Sequence, residues 1–183
     1  MPDDAPSRHL HLDRQSYAER FARGDSYGLL LALLVGLYLL IAMGAEFSSP
    51  KEFQEVIDRI FSMMDDDPEM GPKLRDADVP QRFEFNDVDM VVNIRAARAG
   101  EEGNLHWEWS DDVDWDAKVK MTMSSETANK YFQGKENVPI AIARRRIKSS
   151  GDMKAALNLI PITKPIYARY RALVEEEYPH LAV

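Results

Sequence analysis

Cysteine is absent from the 183 residues, which removes a disulfide framework, thiolate catalysis and any Cys-ligated zinc or iron–sulfur centre. Also missing are the short patterns that carry recognised chemistry: there is no phosphate loop, Gly-x-Ser-x-Gly elbow, dinucleotide glycine fingerprint or His-Glu-x-x-His. The histidines do not fill the gap. His9 and His11 fall on one side of an extended segment whose polar surroundings supply no further zinc ligand, and His106 and His180 have no nucleophile beside them in the pattern. The sequence therefore predicts no catalytic residue, no metal and no cofactor. Positive charge is in deficit too, with 23 Lys and Arg against 31 Asp and Glu, and a net charge of −8 disfavours a general nucleic-acid binder.

What the chain does have is one long uncharged run. Residues 27–45, about 19 positions, match the length needed to cross a hydrocarbon core of roughly 30 Å. Its Leu, Ile and Val residues favour insertion by very roughly 3 to 6 kcal/mol. The 26 residues before it are too long and too acidic for a signal-peptide n-region, although Ala42-Met43-Gly44 has the small-residue look of a cleavage site, so an uncleaved single-pass anchor is expected. Arg8, Arg14, Arg20 and Arg23 precede the run and only Lys51 and Arg59 follow closely, a bias that places the N-terminus in the cytoplasm. Gly28, Ala32 and Gly36 stack on one helical face, where a partner helix in the membrane approaches closely. The expected organisation is a polar tail over 1–26, a membrane helix over 27–45 and a folded domain over 46–183.

Within the domain, Ser48-Ser49-Pro50 opens a helix whose Phe53, Val56, Ile57, Ile60, Phe61 and Met64 recur at three and four residues. Asp65-Asp66-Asp67-Pro68 stops it and begins a solvated turn or caps the next element. From Arg82 to Arg98 the period becomes two, with a slip at Asn86-Asp87 that marks a turn or bulge. Leu105, Trp107 and Trp109 line one face of a further strand, and Ala117, Val119, Met121 and Met123 another, so the strands read as antiparallel and one-sided. Ser124-Ser125-Glu126 starts a short helix closed by Gly134. Arg144 to Lys148 reads as an edge strand, Asp152 caps a helix that Pro161 ends, and Pro165 starts a last helix reaching Tyr178-Pro179. This order predicts an α+β domain with helices over one face of a sheet.

The stretch Tyr131-Phe132-Gln133-Gly134-Lys135-Glu136-Asn137, followed by Ile140-Ala141-Ile142-Ala143, Ile147-Lys148, Gly151-Asp152 and an apolar helix to Ile160, resembles the C-terminal half of a sterol carrier protein type-2 domain. The resemblance covers approximately Pro50 to Ile160. It implies a curved antiparallel or mixed sheet of five strands with helices over one face, enclosing an apolar tunnel that carries a sterol, fatty acid or acyl lipid without catalysis. The chain departs from the family where Val138 separates Asn137 from Pro139, where Arg145 replaces a common Gly, and in its long final helix.

The tunnel residues expected from this resemblance and from the adaptability of Met and broad aromatic rings are Trp107, Trp109, Met121, Met123, Phe132, Ile140, Met153, Leu157 and Ile160. On an edge strand, Arg144, Arg146 and Lys148 form a basic comb, fit for lipid-headgroup or acyl-CoA phosphates as well as for plain edge protection. Asp111, Asp112, Asp114 and Asp116 lack the spacing and glycine of a calcium loop and read as a solvated turn. The expectation is a non-catalytic, membrane-tethered lipid carrier; the competing use is an accessory subunit that packs through Gly28, Ala32 and Gly36.

Overall fold

Ser49 begins the folded body by accepting the Glu52 N–H on its hydroxyl at 3.1 Å, with Pro50 preset for the first helical turn. The computed structural model describes residues 31–34 and 46–183. Helix α1 (Pro50–Asp65) buries the six apolar residues that its spacing gathers on one face, Phe53, Val56, Ile57, Ile60, Phe61 and Met64. Asp67 then accepts the Glu69 and Met70 N–H groups at 2.9 and 2.7 Å, which starts α2 (Met70–Ala77). The sequence reading contains no helix here, because Gly71 and Pro72 interrupt an eight-residue segment with no full apolar stripe. Tertiary contact supplies the order: a Cβ on Gly71 would strike the Asp65 carbonyl and the Asn104 side chain, so only glycine permits this approach.

Five strands form one open sheet in the order β3-β2-β1-β4-β5: β1 (Gln81–Phe85), β2 (Met90–Ala96), β3 (Leu105–Glu108), β4 (Val119–Met123) and β5 (Lys148–Gly151). The first three make an antiparallel meander, with the turn falling at Asn86–Asp89 where the alternation slips. An all-antiparallel sheet is nevertheless overturned, since β4 runs parallel to β1 with Phe83 opposite Met121. The sheet is mixed because the chain leaves edge strand β3, crosses two strands and re-enters on the far side of β1.

That crossover, residues 109–118, covers the polar face. Asn93 donates to the Ser110 carbonyl at 2.8 Å, Arg82 to the Asp111 carbonyl at 2.9 Å, and the Arg95 guanidinium lies 4.7 Å from the Trp115 ring centroid. The acidic run Asp111 to Asp116 belongs to this connection, and Arg82 and Arg98 pair with Asp111 and Asp114. Arg95 also forks onto Glu101 at 2.6 and 2.8 Å, which holds the Glu101 carboxyl down at about 2.

After β4, Ser124 and Asp87 together cap α3 (Ser125–Phe132), taking the Thr127 N–H at 3.1 Å and the Ser125 N–H at 2.8 Å. Val138–Ala143 forms a short helix, α4, capped by Asn137. Arg144 to Ile147 is a turn and not an edge strand; pairing begins only at Lys148, so the predicted comb of Arg144, Arg146 and Lys148 does not exist as a strand face. Arg145 sits at φ +60, a left-handed conformation that breaks the extended run. Helix α5 (Met153–Thr163) continues two residues past Pro161, where the proline predicts its end. Helix α6 (Ile166–Glu177) and a final 3-10 turn (Pro179–Leu181) close the body. Asn129 and Gln133 both donate to the Leu181 carbonyl, at 2.8 and 2.7 Å, and Tyr170 donates to Asn129 at 2.8 Å.

The polar tail over 1–26 and most of the expected membrane helix over 27–45, Gly28 and Gly36 included, lie outside the described residues. Within that run Leu31–Leu34, with Ala32, is helical and exposed. No helix among the described residues is long and apolar enough to cross a membrane.

Candidate functional site

The apolar face of the sheet is paved by Phe83, Phe85, Val92, Ile94, Met121 and Met123, a consequence of strict alternation on β1, β2 and β4. Helix α1 covers one part of it, where Phe53 meets Phe85 edge-on at 4.6 Å. Between this pavement and α2, α3 and α5 lies an apolar cavity of about 100 Å³. Its wall is Ile57, Phe61 and Met64 from α1, Leu74 from α2, Ala128 and Phe132 from α3, and Met153, Ala156, Leu157, Leu159 and Ile160 from α5. Gln81, Tyr131 and Thr163 bring polar side chains to the lining, whereas the guanidinium of Arg95, which also touches it, is turned to the opposite face of the sheet against Trp115 and Glu101.

Of the residues expected to meet a ligand, Met121, Met123, Phe132, Met153, Leu157 and Ile160 converge on this cavity. Trp107 and Trp109 do not. Both indoles turn towards α1 and donate to Asp58 Oδ1, at 2.9 and 2.7 Å, and Trp107 packs on Phe61 with ring centres 5.6 Å apart. Ile140 is elsewhere again, on the surface of α4 and 47% exposed, while its neighbour Val138 reaches the lining. The α1 residues Ile57 and Phe61 were legible as core, but nothing in their period says that part of their surface faces a void.

The wall formed by α5 differs from the others. Its sequence is apolar on almost every side, yet only Leu159 is buried, and Leu157 both lines the cavity and is 37% exposed. Pro161 has no N–H to give the Leu157 carbonyl, so the helix lacks a hydrogen bond at the residue that stands between cavity and solvent. With one buried side chain and one backbone hydrogen bond missing, α5 is a sparsely buried wall. At its far end Tyr131 OH stands 3.4 Å from Thr163 Oγ1, which itself donates towards the Leu159 and Ile160 carbonyls. Burial pushes the neighbouring Tyr167 phenol well above its ordinary value.

The three headgroup candidates part company. Arg146 forks onto Glu136 at 2.9 Å through both nitrogens, which lowers the Glu136 carboxyl. Arg144 and Lys148 are exposed and form no ion pair among the described residues. No cluster of three or more His, Cys, Asp or Glu among those residues is arranged to hold a metal.

No protein-family model and no curated protein matches this chain. Among solved structures it is similar to the sec-alkylsulfatase Pisa1 of a Pseudomonas species, at 18% identity and a TM-score of 0.43, over 52% of this chain and 14% of that one. The chain thus spans about a seventh of the alkylsulfatase's length. It is similar to a UbiJ-SCP2 ubiquinone synthesis protein at 11% identity and a TM-score of 0.49, over 64% of this chain and 96% of the other. It is also similar to sterol carrier protein 2 of Yarrowia lipolytica in its apo form, at 15% identity and a TM-score of 0.44, over 60% and 88% of the two chains. Sterol carrier protein 2 domains are thus among the solved folds that this chain resembles.

Proposed function

We infer that the protein binds an apolar lipid in the cavity beneath α5 and carries it without chemical change. The observation that supports this reading is the pairing of an apolar cavity with an apolar, sparsely buried wall. A dry cavity of this size accepts a small hydrocarbon fragment, whereas a whole sterol, fatty acid or acyl chain needs space that ordinary ligand pockets provide, roughly 300 Å³ or more. Outward movement of α5 supplies that space. Each apolar Å² of cargo buried is worth roughly 25 cal/mol, which offsets extraction from a bilayer.

In this reading residues 27–45 hold the domain at a membrane, with the N-terminus on the cytoplasmic side, and so keep a lipid donor within reach. The test is solvent extraction of the purified protein followed by mass spectrometry, together with uptake of fluorescent fatty acid and sterol. Co-purified lipid or saturable uptake, both lost in Ala156→Trp, supports the carrier. A lipid-free protein that takes up neither probe overturns it.

A further inference from the structure

Charge is distributed very unevenly along this acidic chain. Between Lys130 and Arg171 there are ten Lys and Arg and only two acidic residues, Glu136 and Asp152, whereas the remaining sequence holds thirteen basic and twenty-nine acidic side chains. The basic segment contains α4, the turn after it, the edge strand β5 and α5, which together wall one side of the cavity through Val138, Ile147, Met153 and Leu157.

Beside this charge lies exposed aliphatic surface. Helix α4 reads Val-Pro-Ile-Ala-Ile-Ala and buries only Ala141; Pro139, Ile140 and Ala143 face outward, and Ile140 and Leu157 are two of the few large apolar side chains left exposed in the folded body. Directly after α4 come Arg144 and Arg145, both exposed and without ion-pair partners among the described residues, and Lys148, Lys154 and Lys164 are likewise exposed and unpaired there. Arg145 holds this turn in a left-handed conformation that projects two adjacent guanidinium groups from the end of an apolar wedge.

We propose that α4 and the Arg144-Arg145 turn dock the domain on an anionic lipid bilayer, with Ile140 entering the interface and the cavity mouth at Leu157 turned towards it. The inference names the donor surface for the carrier reading and rests on that reading for its purpose. A bilayer fits better than a nucleic acid because the patch offers aliphatic side chains and no exposed aromatic platform for base stacking, and better than an acidic protein because aliphatic wedge and cationic collar match the two layers of a lipid interface. Arg146 contributes little, being held by Glu136.

The absence of cysteine allows a direct test in the full chain. Ile140→Cys carries an environment-sensitive nitrobenzoxadiazole label, with Asp112→Cys in the crossover loop as the control, and each protein is reconstituted into phosphatidylcholine vesicles with or without phosphatidylglycerol. Docking predicts a blue shift and an intensity rise at position 140 with anionic vesicles only, none at position 112, and reversal by high salt. In the Arg144→Gln/Arg145→Gln background the ratio of docked to undocked label falls about thirtyfold, at about fivefold per basic residue. Arg144 and Arg145 are exposed, and circular dichroism of the variant checks its fold. An equal response in neutral vesicles, no response at 140, or an equal response at 112 overturns the proposal, as does a salt-sensitive response to single-stranded RNA matching that to anionic vesicles. Lipid uptake with a silent label at 140 keeps the carrier reading and removes the docking face; a blue shift without uptake supports the docking face alone.

Discussion

Trp109 donates its indole N–H to Asp58 Oδ1 at 2.7 Å across 51 positions of sequence, and Trp107, two residues earlier on the same face, donates to the same oxygen at 2.9 Å. One carboxylate on α1 therefore fixes the orientation of two large rings on and beside edge strand β3 and commits them to the helix–sheet interface. Asp58→Ala leaves two half-buried donors without a partner and costs about 2 kcal/mol or more; Asp58→Asn, which keeps an acceptor oxygen, costs less. Urea unfolding followed by tryptophan fluorescence ranks the two.

Gly151 ends β5 at φ +87, and a Cβ there would strike the Lys118 carbonyl on the neighbouring chain segment. Gly151→Ala is expected to cost roughly 2 kcal/mol or more, since both the backbone conformation and the space are wrong for a side chain. At Arg145, with φ +60 and an exposed side chain, the opposite substitution removes strain, and Arg145→Gly stabilises by roughly 1 kcal/mol. Thermal melts of the two variants move in opposite directions.

The cavity wall predicts a separation of stability from binding. Ile166→Ala deletes a buried side chain of α6 that is no part of the cavity lining and costs about 2 to 5 kcal/mol. Ala156→Trp fills space at the cavity and abolishes lipid uptake while changing the unfolding midpoint far less. Uptake and denaturation measured on both proteins distinguish a packing residue from a cavity residue.

Acid sensitivity follows from the Arg95–Glu101 pair. The Arg95 fork, helped by the Arg98 N–H, lowers the Glu101 carboxyl from its ordinary value to about 2. A carboxyl depressed in the folded state stabilises the protein above its unfolded pKa, and that contribution is lost as pH falls from about 4.5 towards about 2. Wild type therefore loses stability over that interval faster than Glu101→Gln, which starts less stable at neutral pH and has no such proton to take up. Melting temperature against pH for the two proteins checks the sign.

Much of this architecture was visible in residue spacing. The α1 stripe, the turn at Asn86-Asp87, the Ser124 cap and the apolar alternation of Met121 and Met123 follow from local periodicity, and each corresponds to an observed element. Helix α2 was hidden because its order comes from Asp67 and from the tight fit of Gly71, not from a stripe. Pro161 misled because proline removes one hydrogen bond without necessarily ending a helix that other contacts retain. Arg144 to Lys148 looked like a strand by alternation, and one left-handed residue undid it.

Periodicity settled which faces are apolar, since the 3.6- and 2-residue repeats are properties of the backbone and need no neighbour. Long-range geometry decided the rest: that β4 pairs parallel with β1, that Asp58 draws Trp107 and Trp109 away from the cavity, and that α5 leaves its apolar surface only partly covered. Those outcomes depend on which distant segments meet and how much space remains between them, quantities that no single segment carries.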